Sequence, residues 1–556
     1  MNVGCLRCGV EMSVKIGIRT LVYLCWLAGS PVAAQYSQAD SHEERYRRGS
    51  VLARSGQLEA ALQELEKAAQ LAPQSPKVHN LLGVVLTQLG RLTEAEEAYR
   101  HAISLAPDFV PARKNRAVNL FTLGRLQLAT AEFEAVARLE PRDFVPHLFL
   151  GLLSIEEADF PAARQHLLQA HQLSPGQSKV LLALTRVHFT LGERASALAS
   201  ARQLQSQSRS SDAERFELGG ILAQFGSYTE AVAVFQELWQ KRPGLPDLGF
   251  NLALVQYHDG QLQPALHTLK QLQSHTQPTG ELLSLQGWIY NKMRNMAAAR
   301  ESLQHAIDVE SDNPNHYLDL SMVLKNSGDV DGAMRVILAG IDRNIPRDRL
   351  LVQLGLLHQD LGHYEEAETC YRDALHTASE NGSAYIALAH LLSSTQREAE
   401  ALAWLEKGIR LLPRDALLHY VYGALLMEAD SDTRPAQLGK AQMLLEKARD
   451  LNPLYSNTHY LLGKLYLKQG NSDAAQVSFE KACAFNPRHA GAYYQRSLLA
   501  RRRGKREEAE ELGRIVQRIN MKADETFRES FSGMVQETLR GAPLPRMPSR
   551  GSSSPR

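Results

Sequence analysis

Gly56, Gly90 and Gly124 stand 34 residues apart. Further steps of 34 land on Ala158, Gly192, Gly226, Gly260, Arg294, Gly328, Gly362, Gln396 and Asp430. Six additional residues intervene, and the register resumes at Gly470 and Gly504. A chain that repeats at this interval does not gather around one centre. Each unit covers its apolar face by stacking on its neighbours, and the product is a solenoid. Solenoids lengthen without dividing into separate cores, so 556 residues do not imply several ordinary domains. A long stacked surface also favours binding over chemistry.

Residues 76–109 show what one unit contains. Leu82, Val85, Leu86 and Leu89 recur at helical spacing. Gly90 suits the left-handed residue that closes a helix. Ala95, Ala98, Tyr99, Ala102 and Ile103 mark one face of a second helix, and Pro107 prevents its continuation. Seven residues before each turn the side chain is always small: Gly49, Gly83, Ala117, Gly151, Thr185, Gly219, Ala253, Gly287, Ser321, Gly355, Ala389, Gly423, Gly463 and Ser497. Five residues after each turn it is always alanine, from Ala61 and Ala95 through Ala265 to Ala509. Anything larger there would push paired helices apart, at about 1–3 kcal/mol.

The pattern of small residue, turn glycine, alanine, aromatic or leucine, alanine and proline resembles the tetratricopeptide repeat (TPR) family. Pro73, Pro107, Pro141, Pro175, Pro243, Pro413, Pro453 and Pro487 share its closing phase. The resemblance implies an all-α solenoid, a right-handed superhelix of about fourteen helix–turn–helix units over 42–523. Arg294 and Gln396 depart from the turn glycine, and Met521 from the proline. The extra residues near 430–436 are expected to lengthen the turn within repeat twelve and project from an edge. Phe527, Phe531, Met534, Val535 and Leu539 give 524–540 one apolar face, expected to cap the last repeat. Residues 541–556, rich in Pro, Ser and Arg, read as a flexible basic tail.

The N-terminus lies outside the repeat. Lys15 and Arg19 precede an apolar run over 21–28, and Pro31-Val32-Ala33-Ala34 follows. Basic, apolar and small-residue segments in that order predict a secretory signal at 1–34 cleaved after Ala34. The run is too short to span a membrane. Met12 is a plausible start, and 35–41 reads as a linker. The implied location is periplasmic or secreted. Cys5, Cys8 and Cys25 would be removed with the signal, leaving Cys370 and Cys483 three repeats apart. Stacked helices about 8–10 Å apart do not bring such cysteines to disulfide distance.

No catalytic signature survives inspection, so the chain reads as a non-enzyme without cofactor or metal. His42-Glu43-Glu44-Arg45-Tyr46 has Tyr46 where a zinc-protease motif needs its second histidine. His358 and His363 straddle a turn without a convergent carboxylate or cysteine set. A net charge of +1 lacks the basic footprint of a nucleic-acid binder.

The resemblance directs attention to the concave side of the first helices. Its positions carry Phe121, Phe189, Phe216, Phe250, Tyr257 and Trp288 in the central repeats. Tyr420, Tyr460 and Tyr494 occupy the fifth position of the last three repeats, with Lys464, Lys468, Arg501 and Arg502 on the same expected face. Aromatics beside cations suit an acidic or amphipathic peptide, and packing against neighbouring helices is the competing explanation for the rings. Lys114 and Asn115 come nearest to the family's carboxylate clamp, but repeat four offers Val145, Leu148, Phe149 and Leu152 in place of its next members. The expected role is an exported scaffold that binds proteins or extended peptides in envelope assembly or secretion and meets a membrane only through partners. The alternative is a non-catalytic subunit of a glycosyltransferase or exopolysaccharide machine.

Overall fold

The computed structural model describes residues 41–207, 210–343, 345–428 and 435–523, with Val535 and Leu539. These residues form 28 α-helices and no strand, paired as fourteen repeats. The first five pairs are α1 (His42–Arg54) and α2 (Leu58–Leu71), α3 (Pro76–Gln88) and α4 (Leu92–Leu105), α5 (Val110–Thr122) and α6 (Leu126–Leu139), α7 (Phe144–Glu156) and α8 (Phe160–Leu173), and α9 (Ser178–Thr190) and α10 (Arg194–Gln205). Repeats six to nine are α11 (Asp212–Gln224) and α12 (Tyr228–Lys241), α13 (Pro246–Asp259) and α14 (Leu262–Gln273), α15 (Gly280–Lys292) and α16 (Met296–Val309), and α17 (Pro314–Asn326) and α18 (Val330–Ile341). The last five are α19 (Asp348–Asp360) and α20 (Tyr364–Thr377), α21 (Gly382–Ser394) and α22 (Glu398–Leu411), α23 (Ala416–Glu428) and α24 (Pro435–Leu451), α25 (Ser456–Lys468) and α26 (Ser472–Phe485), and α27 (Ala490–Arg502) and α28 (Arg506–Ala523). Repeats one to five belong to one compact unit and repeats six to fourteen to a second.

The turns within the described residues close alike. The residue at the glycine phase takes φ between +60° and +85°, and the next N–H reaches back five residues, as from Arg91 to the Leu86 carbonyl at 2.9 Å. This is the six-to-one bond of a Schellman closure, and it satisfies a carbonyl that the helix end would otherwise strand. Ala158, Arg294 and Gln396 adopt the same left-handed conformation at φ 60°, 61° and 65°. Their side chains crowd the following carbonyl there, which costs about 1–2 kcal/mol per residue. The turn geometry is therefore imposed by the helix pair, and glycine is only its least strained occupant.

Within a pair, the helices meet where the first helix has no side chain. A Cβ added to Gly83 would lie 2.5 Å from the Tyr99 ring, and one on Gly463 would lie 2.5 Å from Phe479. Gly49, Gly151, Gly219, Gly287 and Gly423 face Leu65, Leu167, Phe235, Leu303 and Leu445 in the same way. Where the first position grows, its counterpart sixteen residues later can shrink: Thr185 is matched by Ala201. All fourteen alanines of the post-turn position are buried at 0–1% exposure. The alanine position therefore lies on the buried face of each second helix.

Repeat twelve uses part of its insertion to lengthen a helix. Its second helix, α24, has 17 residues and begins at Pro435, whereas α22 and α26 have 14 each. Counting back from Ala441, part of the insertion extends the helix, and Pro435 suits that start because its missing N–H is unneeded there. The rest of the insertion, the signal and linker at 1–40, and the tail at 541–556 lie outside the described residues. The same holds for the expected cap at 524–540, apart from Val535 and Leu539. Those two residues pack in the core cluster of repeats ten to thirteen. Cys370 and Cys483 are free thiols on α20 and α26. Among the described residues no helix is long and apolar enough to cross a membrane.

Two substitutions test this packing in opposite directions. Ala265→Leu should cost about 1–3 kcal/mol by overpacking a site with no free volume. Arg294→Gly should gain about 1 kcal/mol by relieving a left-handed side chain, less the entropy glycine adds to the unfolded chain. Thermal melting of the two variants against the parent should shift down and up respectively; an unmoved transition for Ala265→Leu contradicts the assignment.

Candidate partner-binding site

The three tyrosines at the fifth position are placed differently by their neighbours. Tyr460 on α25 stands against Gly491 of α27, where an added Cβ would lie 3.2 Å from its ring. Its centroid is 4.7 Å from His489 and 5.9 Å from Phe479. Lys464, one turn later, places its ammonium 5.8 Å from the ring centroid. Burial raises the Tyr460 phenol pKa, so the ring stays neutral. Tyr420 on α23 is half-buried, meets Tyr455 edge-on at 5.1 Å, and packs against the core of repeats ten to thirteen. Tyr494 on α27 is 51% exposed.

The four cations belong to the same end of the chain. Lys464 and Lys468 follow Tyr460 at successive turns of α25, and both are exposed. Arg501 and Arg502 come seven and eight residues after Tyr494 on α27, and both are exposed. Two adjacent first helices thus present a tyrosine followed by basic residues at helical spacing. Such a surface attracts carboxylates through the cations and apolar or π groups through the rings.

The central aromatics have another fate. Phe216, Phe250 and Trp288 are buried, as are Phe121 and Phe189. Phe216 meets Phe235 edge-to-face at 5.4 Å within its own helix pair. Of the two explanations open for these rings, packing describes them: they fill space between stacked helices and present no face to a partner. Tyr257 is only half-buried, but Lys292 of the next repeat sits 4.6 Å above its ring and donates to its carbonyl at 2.9 Å. The cation that would suit a ligand there already belongs to the chain. Lys114 pairs with Asp143 at 2.6 Å and with Glu140, while Asn115 donates to Asn80 at 2.9 Å. These two are thereby engaged inside the array.

Sequence inspection missed a polar junction between repeats eight and nine. Ser284 Oγ lies 2.9 Å from His316 Nδ1, His316 Nε2 lies 3.1 Å from Glu310, and Glu310 accepts the Gly280 N–H at 2.8 Å. Burial pushes the Glu310 carboxyl up, but hydrogen bonds from His316, Gly280 and Asn313 outweigh it and hold the pKa below the usual value. The order serine–histidine–carboxylate suggests hydrolysis, yet Ser284 and His316 are both buried. The trio ties α15 to α17 and satisfies the α15 N-terminus. No linear spacing signals it, because its members come from different helices and a loop. Among the described residues no three His, Cys, Asp or Glu side chains converge as a metal site.

Comparison with known proteins agrees with the repeat geometry. Tetratricopeptide repeat models match residues 46–108 and 182–246, 222–289, 280–313 and 306–533. The chain is a tetratricopeptide repeat protein. The chain is 22% identical over 319 residues to the BBSome complex member BBS4 homolog of Drosophila melanogaster, covering 54% of this chain and 65% of that protein. It is 23% identical over 239 residues to cellulose synthase operon protein C of Pseudomonas fluorescens (strain SBW25), covering 39% of this chain and 18% of that protein. The chain therefore spans less than two thirds of either relative. The crystal structure of yeast Tom70 aligns over 87% of this chain and 96% of that one, at 16% identity and TM-score 0.40.

Beside the candidate tyrosine, His459 makes this end of the TPR array sensitive to acid. Its Nε2–H donates to the Pro453 carbonyl at 2.7 Å, and burial lowers its pKa to about 4. An unfolded histidine titrates near 6.5. Below about pH 6.5 the unfolded chain binds a proton that the folded chain refuses until about pH 4. Stability therefore falls with pH across that window, by up to about 3 kcal/mol from this residue. Urea denaturation at pH 7 and pH 5 should show a smaller loss in His459→Gln than in the parent. Equal losses would assign the acid sensitivity to other groups.

Proposed function

We propose that this TPR chain is an exported adaptor that holds an acidic or amphipathic protein segment on its C-terminal repeats. The observation that carries the reading is the exposed Tyr494, with Arg501 and Arg502 about two turns further along the same helix and Tyr460, Lys464 and Lys468 on the neighbouring first helix. Rings offer large contact area at low entropic cost, and basic groups at their rim steer and orient an acidic chain. The protein acts without catalysis or cofactor, and it serves envelope assembly or secretion. Export rests on the basic, apolar and small-residue order of residues 1–34.

A second reading is favoured by the likeness to cellulose synthase operon protein C. In it, the chain is the non-catalytic partner of a polysaccharide-synthesising or exporting machine, and the same surface docks on a protein of that machine. The two readings share the surface and differ in the partner.

The test begins with the chain produced in its native host. Its first residue should be Gln35, read by mass spectrometry of the intact protein. Tyr494→Ala combined with Lys464→Glu, Lys468→Glu, Arg501→Glu and Arg502→Glu alters exposed groups only. Quantitative cross-linking in the envelope fraction should show partner recovery reduced roughly 10-fold or more, with helical circular dichroism unchanged. Undiminished recovery would remove this surface from the mechanism. The identity of the lost partner, secretion component or polysaccharide synthase, separates the two readings.

A further inference from the structure

Between α12 and α14, the second helices of repeats six and seven, lies a cavity of about 340 Å³ whose floor comes from α13. That volume stands at the lower end of the range for small-ligand sites, and it admits one ring rather than an extended chain. Trp239 shapes one wall. Its ring rests on Gly249, where an added Cβ would lie 2.8 Å away. Other second helices carry Ile103, Ile307 or Leu375 at this phase. The indole N–H donates to Gln271 Oε1 at 3.1 Å, which holds that side chain at the rim.

The floor holds a buried amide with donors to spare. Gln256 is 4% exposed, and its Oε1 accepts from Thr268 Oγ1 at 2.9 Å. Its Nε2 donors meet no acceptor among the described residues. Leaving a buried donor unmatched costs about 1–3 kcal/mol, so entry of an acceptor is favoured. Gln236 and Gln240 are exposed at the rim, so four primary amides in all, with Gln256 and Gln271, surround the space.

The lining is also uncharged. Among its described residues none is Asp, Glu, Lys or Arg, and His267 is the sole titratable group. The neighbouring charges of α12 are engaged elsewhere. Glu237 pairs with Arg215 and Lys241, and Arg242 pairs with Asp212 at 3.3 Å. A carboxylate or phosphate that entered would lose its water and find no cation in exchange. A primary amide instead offers donors and an acceptor side by side. Adjacent hydroxyls of a sugar ring present the matching complement, and the C–H face of the ring suits the indole.

We propose that this cavity is a glycan-binding site that takes one uncharged sugar residue, with Gln256 as its buried anchor and Gln236, Gln240 and Gln271 as rim contacts. A free sugar and a residue within a longer glycan chain present the same ring to it. None of these residues belongs to the aromatic–basic surface on α25 and α27, so either site can fail without the other.

The experiment titrates the full-length chain calorimetrically with monosaccharides and neutral oligosaccharides of glucose, mannose, galactose and N-acetylglucosamine. An oligogalacturonate and a Ser/Asn peptide serve as controls. At least one neutral sugar should bind saturably, with an affinity unchanged between about 0.05 and 0.5 M salt because no ion pair forms. An oligosaccharide that binds more tightly than its monosaccharide assigns the site to a glycan chain, and equal affinities assign it to a free sugar. Gln256→Leu should weaken binding about 10-fold or more. Thr268 Oγ1 keeps its bond to the Pro264 carbonyl at 3.1 Å in that variant, so no donor is stranded. Gln236→Ala/Gln240→Ala alters only exposed side chains and should weaken binding as well, which keeps the test decisive if Gln256→Leu misfolds. No saturable binding by any neutral sugar, affinity untouched by these variants, or preference for the uronate or the peptide overturns the proposal.

Discussion

The close approach of the two helices in each repeat is the contact on which everything else depends. In most repeats it exists because the first helix presents glycine or alanine where the second presents a ring or a leucine, and Thr185 is matched by the smaller Ala201. Gly83 against Tyr99 and Gly463 against Phe479 leave no space for a Cβ. Alanine at the post-turn position continues the same restriction along the second helix. Dispersion between such surfaces is weak atom by atom and large in sum, and it falls steeply if the helices separate by even a fraction of an ångström. The helix spacing fixed in this way sets where the next repeat can stack.

Stacking then decides which side chains are left to meet a partner. A residue at the fifth position of a first helix is covered to the extent that its neighbours allow: Phe216, Phe250 and Ile386 are buried, whereas Tyr420 and Tyr460 are half-buried. Tyr494 belongs to the fourteenth repeat, the last helix pair among the described residues, and it is 51% exposed. The basic residues around it remain exposed because nothing apolar competes for their place.

The repeats were legible because each is specified locally. The 34-residue phase, the alanine stripe and the small positions all map onto helix contacts, and even Arg294 and Gln396 take the left-handed turn that glycine marks elsewhere. Local rules are less informative about faces. A phenylalanine on the expected inner side reads identically whether a neighbour covers it or not, so Phe216 and Trp288 stayed open between partner contact and packing until their surroundings were known. The Ser284–His316–Glu310 junction was invisible for the same reason, since its partners meet across repeats. The insertion in repeat twelve was legible as a count of residues, while its use in extending α24 depended on the helix continuing back to Pro435.

By itself, the sequence determined the repeat: the helix boundaries, the turn conformation and the residues that press the pairs together. Those properties come from contacts between positions a few residues to one repeat apart, and a periodic pattern records them. Only the tertiary structure decided which aromatics face outward, how the polar groups pair across repeats, and that Val535 and Leu539 lie among repeats ten to thirteen. Burial of residues so far along the chain depends on the apolarity of a distant surface. No local spacing encodes that surface, because it is assembled only when the repeats have stacked.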